Sequence, residues 1–355
     1  MIAAKKRDEF WDYARGLGMI LVVLGHTNFI GMKWIYLFHI PLFFIVSGAL
    51  FSVSSPVSSK VLGKLKRLYL PNLKYGIMFL LLHNLFVSLH LYAGAEHYSV
   101  TDYFRGLIKI LCWGNEELGG AMWFLRSLFF SYLLYVCYFC IKESDWQTGG
   151  KKCRVSLFFC LMVVTCGWIF VNVHSIFSLR TMITIPCIVL PFILFGQWIR
   201  KTDFRKRLDK KTCVGLAVFS MALLVPTSWY AHIDLAHLQL PNFVVYYLLG
   251  ITGFVLVASS NTILSGTKVY HWIVYVGNHS IPILALHFLA FKLVTFIYVC
   301  ATDNTIDLLS AFPSPDLPDN LFLPLLYALA GVCLPLCLSR WFRFAKKYIL
   351  HFFNL

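Results

Sequence analysis

Ten runs of mostly apolar residues follow one another along the chain, near 14–30, 34–53, 73–93, 121–141, 155–173, 182–199, 213–230, 241–258, 279–300 and 321–341. Each approaches the roughly 20 residues that a helix needs to cross the hydrocarbon core of a bilayer. Short polar or turn-forming segments separate them. The pattern predicts an all-α, polytopic integral membrane bundle of about ten transmembrane helices. No Ser- or Gly-rich linker and no clear internal repeat interrupts it, so residues 1–355 read as a single transmembrane domain. Composition agrees: 59% of residues are hydrophobic and 13% charged, against roughly 45–50% and about 25% in a soluble domain.

Charge fixes the orientation. The chain carries 31 Lys and Arg against 16 Asp and Glu, an excess that in a soluble protein would raise the question of nucleic acid. Here 25 of the basic residues fall in alternate connections, including Lys60, Lys64, Lys66, Arg67 and the dense run from Arg200 to Lys211. The opposite connections hold only Lys33, Arg105, Lys109 and Arg180, and the 301–320 segment has four Asp and no base. Basic loops face the cytoplasm, so both termini are expected there, with anionic membrane lipids rather than nucleic acid as the charge partner. Lys5, Lys6 and Arg7 resemble the start of a signal peptide, but no small-residue cleavage site follows, and the first span is expected to stay attached. The eleven cysteines show no paired spacing in polar loops. Cys137 and Cys140 form one C-x-x-C inside an apolar run, where a redox pair would lack access to water. Neither a disulfide scaffold nor a metal site is indicated.

Ionisable side chains inside apolar spans are costly and therefore functional candidates. The first span holds Asp12, Arg15 and His26. Eleven helical positions turn about 1100° and rise about 16.5 Å, so Arg15 and His26 share a stripe. Asp12 lies three residues before Arg15, a spacing at which the two side chains meet. The second span runs back from Trp34 and places His39 at about the depth of His26, with Pro41 expected to bend the helix beside them. Arg126 and His287 lie within later spans. Lys292 is expected to snorkel to the surface, and His83 and His90 read as structural, having no nearby carboxylate to complete a metal set. The polar segment 231–240 holds His232, Asp234 and His237.

The run Asp12-Tyr-Ala-Arg15-Gly, the ten residues between Arg15 and His26, and the stretch Phe38-His39-Ile-Pro41-Leu-Phe-Phe-Ile-Val-Ser47-Gly48 resemble the acyltransferase-3 family, in particular its fucose 4-O-acetylase-like proteins. Weaker similarity lies at Met122-Trp123-Phe124-Leu125-Arg126 and at Gly277-Asn278-His279-Ser280 leading to His287. Ala14 stands where many members have Leu. The resemblance implies a multi-pass enzyme of the plasma (inner) membrane that moves an acyl group, commonly acetyl from acetyl-CoA, to a sugar hydroxyl of an envelope polysaccharide or its lipid-linked precursor. It assigns the functional arginine and histidine to Arg15 and His26, and makes Asp12, His39, Ser47, Trp123, Arg126 and His287 candidate contacts for substrate or acyl-CoA. His26 suits the role of general base toward a hydroxyl. Arg15 suits a CoA phosphate, a carrier-lipid pyrophosphate, or anchorage through Asp12. Two other classes share these features: a flippase for lipid-linked sugars, and a carrier that passes acetyl to a separate transferase.

Overall fold

The computed structural model describes residues 8–29, 31–52, 56–112, 114–147, 153–171, 179–202, 208–302, 304–316 and 322–352. Lys5, Lys6, Arg7, Lys151, Lys152, Arg205, Lys206 and Arg207 lie outside them. Helices dominate, and the only bridge between extended residues among the described ones joins Asp234 to Gln239. Among the described residues, seven helical stretches, Met32–Leu50 taken as one of them, are long and apolar enough to cross a membrane.

The chain begins with α1 (Glu9–Gly25), whose Asp8 cap accepts from the Phe10 N–H and whose first turn carries Glu9 and Asp12. Acidic residues there complement the helix dipole. The helix ends at His26, and Asn28, at φ 53°, turns the chain back. The second span is not one bent rod. It divides into α2 (Met32–Tyr36) and α3 (His39–Leu50). Pro41 stands in the first turn of α3, where an N–H has no partner within the helix, so the proline starts a helix instead of bending one. The third span likewise divides: α4 (Val57–Lys64) runs through a π-helical turn into α5 (Leu70–Leu81), and α6 (His83–Ser88) follows a break at Leu82.

The remainder comprises the amphipathic α7 (Val100–Cys112), α8 (Trp123–Gln147), α9 (Cys153–Val171), α10 (Ile185–Thr202), α11 (Lys210–Thr227), α12 (Phe243–Leu264), the short α13 (Lys268–Asn278), α14 (Ser280–Thr302) and α15 (Phe322–Phe352). Large apolar side chains such as Phe158, Val218, Phe219 and Leu329 stay exposed on the outside of the bundle. Lipid is the solvent that makes such a surface stable. The thiols of Cys137 and Cys140 are free and exposed on the same kind of surface.

Two backbone crossings hold α1 and α3 in place. A Cβ on Gly16 would lie 1.9 Å from the Ile273 carbonyl oxygen, and one on Gly277 1.9 Å from that of Asp12, so α1 and α13 touch main chain to main chain. Gly48 and Gly196 do the same for α3 and α10. Small residues at a crossing let membrane helices approach closely without a hydrophobic drive between them. At the end of α3, Gln197 donates to the Gly48 and Phe51 carbonyls and Arg200 to that of Ala49 at 2.6 Å, which supplies donors to the last turn.

Candidate active site

Two cavities adjoin each other, and residues of α1, α3, α8 and α14 line both. Along α1 the residues facing inward are Arg15, Met19, Val22 and His26, spaced four, three and four apart, which is one stripe of the helix. The shared stripe expected for Arg15 and His26 is therefore present, and it lines a passage. The first cavity, about 900 Å³, is bordered by Asp12, Arg15, Ser47, Lys64, Arg67 and Arg200. The second, about 380 Å³, is bordered by His26, Tyr36, His39, Trp123, Asp234 and His237, with Phe288 and Phe312. Met19, Phe43, Phe124 and Leu284 line both. These four come one each from α1, α3, α8 and α14, and they form an apolar septum between the chambers. The rings of Phe43 and Phe124 lie 5.4 Å apart.

The basic mouth gathers residues from connections expected on the cytoplasmic side. Asp12 hydrogen-bonds the Arg15 guanidinium, as the spacing predicts. Lys64 lies with its amine 4.6 Å over the Phe51 ring and 5.3 Å from that of Tyr132. Burial, then the neighbouring Arg67 and Arg15, hold its pKa down to about 8. A cluster of cations with a depressed lysine favours an anion. Sequence reasoning did not single out Lys64, Arg67 or Arg200, because basic residues that set topology look the same as basic residues that bind.

The histidine chamber has a definite proton arrangement. His287 is wholly buried, and its Nδ1 donates to the carbonyls of Ile283 at 3.0 Å and Leu284 at 3.1 Å. A carbonyl only accepts, so in the neutral ring Nε2 of His287 carries the lone pair. That lone pair lies 3.3 Å from Nδ1 of His26. His26 then holds its proton on Nδ1 and leaves Nε2 free to accept one. The two rings stack with centroids 5.3 Å apart, and the edge of Phe288 closes one side at 5.0 Å. His39 donates from Nδ1 to the Ile35 carbonyl at 2.9 Å, which also leaves its Nε2 as an acceptor.

A roof covers the chamber. Ser314 donates to the His26 carbonyl at 3.3 Å, and Asn28 to the carbonyls of Ser314 and Pro315 at 3.4 Å. Below it, the Lys292 amine donates to Leu309 at 2.8 Å and Ala311 at 2.7 Å. Lys292 thus does not snorkel: it is buried, and the roof supplies the carbonyls its ammonium needs. No signal in the sequence distinguished that role, since the partners are main-chain atoms of a distant segment.

Of the other candidates, Asp12 and Ser47 line the basic mouth, while His39 and Trp123 line the histidine chamber. His287 supports His26 from behind. Arg126 joins neither group. Its side chain is wholly buried, it donates to the Ile110 carbonyl at 2.7 Å, and it borders neither chamber. Its place in the first turn of α8 directs it at the Ile110 carbonyl of α7, away from the two chambers. His83 bonds Glu116 at 3.2 Å and the Glu96 carbonyl at 3.1 Å, tying α6 to the outer segment. Among the described residues, no group of three or more His, Cys, Asp or Glu is placed to hold a metal ion.

A family model described as an acyltransferase domain matches residues 8–344. Comparison with curated proteins and with solved structures gives no match.

Proposed function

The chain belongs to the acyltransferase-3 family, and from that membership and the paired chambers we propose that it is an O-acyltransferase that takes an acyl group, with acetyl as the first choice, from acyl-CoA at the basic mouth to a sugar hydroxyl in the histidine chamber. The observation that carries this reading is the stripe on α1, with a guanidinium facing one cavity and an imidazole facing the other across a thin apolar septum. The acceptor is a glycan of the cell envelope or its lipid-linked precursor, and the membrane is the plasma membrane.

The donor's phosphates suit Arg15, Lys64, Arg67 and Arg200, with Asp12 fixing the orientation of the Arg15 fork. The thioester arm extends past Met19 and Phe43 toward His26. There the acceptor hydroxyl oxygen attacks the thioester carbon as its proton passes to His26 Nε2. The carbon–sulfur bond breaks, and the same proton returns to the departing thiolate, giving an ester and a free thiol. His287 holds His26 in the one tautomer that leaves Nε2 basic. Family membership and the absence of repeat symmetry in the sequence favour this reading over a flippase.

The test is transfer of label from acetyl-CoA to a sugar acceptor by purified protein. His26→Ala is expected to abolish it, and His287→Ala to lower kcat by roughly 10²-fold or more with little change in the KM for acetyl-CoA, in keeping with loss of an acid–base group or its support. Full turnover by His26→Ala removes the proposed base. Label that stays on the protein without reaching any acceptor favours the carrier.

A further inference from the structure

The histidine chamber contains a second polar device that the reaction above leaves unused. Between α11 and α12 the chain makes a tight loop closed by reciprocal main-chain bonds, Asp234 N–H to the Gln239 carbonyl at 2.8 Å and Gln239 N–H to that of Asp234 at 2.9 Å. Ile233, Leu235 and Leu238 bury their side chains beneath it. Leu238 at φ 57° completes the turn. Residues 233–237 of the loop line the cavity, and the polar side chains among them are Asp234 and His237. The Asp234 carboxylate accepts from His237 Nδ1 at 2.8 Å and from the His237 backbone N–H at 3.2 Å. Nε2 of His237 and the unused lone pairs of the carboxylate remain for a ligand.

Charge selects the kind of ligand. The basic mouth has four cations along its wall, but among the described residues lining the histidine chamber there is no Lys or Arg, and Asp234 is the single carboxylate. Tyr36 and His39 line the same chamber as that carboxylate. An anionic acceptor would meet a carboxylate with no Lys or Arg on the chamber wall to offset it. A neutral polyol would not, and its hydroxyls donate to carboxylate and imidazole while its apolar face lies against Trp123, Tyr36 or Phe312.

We propose that Asp234 and His237 form the acceptor-binding subsite, and that the acceptor portion it takes is an uncharged, hydroxyl-rich sugar rather than a uronic acid or a sugar phosphate. The subsite deepens the acyltransferase reading and rests on it for the word acceptor. The pair positions the sugar so that a neighbouring hydroxyl reaches His26.

The experiment uses the full chain in lipid nanodiscs with 4-nitrophenyl glycosides in matched pairs, glucoside against glucuronide and galactoside against galacturonide. Binding is read by saturation-transfer NMR and, separately, acceptor KM and kcat by label transfer from acetyl-CoA. At least one neutral glycoside is expected to bind about tenfold more tightly than its uronide, and Asp234→Asn and His237→Gln each to weaken it about tenfold, the loss of one charge-assisted hydrogen bond. The KM for acetyl-CoA should stay unchanged, and Asp234→Asn should narrow the preference over the uronide. Asp234→Asn keeps an oxygen for the His237 N–H, and His237→Gln leaves the loop's main-chain bonds intact, so one folded variant suffices. Equal binding of both members of a pair, failure of every neutral glycoside to bind, or an unchanged acceptor KM in both variants overturns the subsite. Binding that follows the expected pattern without any acyl transfer overturns the enzymatic reading and leaves the subsite standing.

Discussion

Lys64 shows how one side chain reports the purpose of a cavity. An amine between two aromatic faces, with Arg15 and Arg67 nearby, has its pKa held down to about 8. Below that pH it is charged and draws an anion; above it the ammonium is lost in the empty protein. The KM for acetyl-CoA is therefore expected to rise as pH passes above about 8, and binding in that range to take up a proton. Lys64→Met should raise the KM at neutral pH and flatten that dependence. A wild-type KM constant from pH 7 to 9 would detach Lys64 from the donor. At this scale the sequence was legible for Arg15, Asp12 and His26, whose spacing on one helix is local arithmetic. It was silent on the His26–His287 contact, which joins residues 261 positions apart, and on Asp234 with His237, where the polar segment was visible but its proximity to His26 was not.

Among the elements, the crossing of α1 with α13 determines where the stripe points. Gly277→Ala puts a methyl group against the Asp12 carbonyl. Relief requires α1 to move, and overpacking of this kind costs roughly 1–3 kcal/mol or more. A lower melting temperature in detergent is expected, together with reduced turnover, whereas Gly215→Ala on α11, where a Cβ meets nothing within 4 Å, should match or slightly exceed the wild type. Equal melting temperatures for the two variants would mean that the crossing is not tight. Hydropathy located the apolar segments well, since each predicted run overlaps described helix. It failed at breaks inside a run, near Leu37–Phe38 and at Leu82, because an apolar average is blind to where the hydrogen-bond ladder restarts. The short α13 went unnoticed for a related reason: its value lies in glycines at a contact, not in hydrophobic length.

For the whole molecule the septum is decisive. Met19, Phe43, Phe124 and Leu284 separate two cavities that open toward opposite sets of loops. Phe124→Ala removes a ring that lies against both Phe43, at 5.4 Å, and Phe44, at 5.3 Å, and should join the chambers. Proteoliposomes holding that variant are expected to leak protons or a small dye faster than those with the wild type, and to use longer acyl-CoA donors. Vesicles as tight as the wild type's would show that another barrier seals the path. The charge asymmetry of the loops was readable from the start, and the gathering of Arg15, Lys64, Arg67 and Arg200 at one mouth agrees with it. The septum itself was not readable, because Met, Phe and Leu in an apolar span carry no mark that sets a barrier apart from ordinary packing.

Two chambers that meet at one narrow apolar junction also bear on traffic. Under the proposed reaction, spent thiol would leave through the basic mouth by which the thioester came, while the finished ester would depart through the histidine chamber. On that reading free CoA is expected to compete with acyl-CoA and not with the sugar acceptor, which product-inhibition kinetics would check.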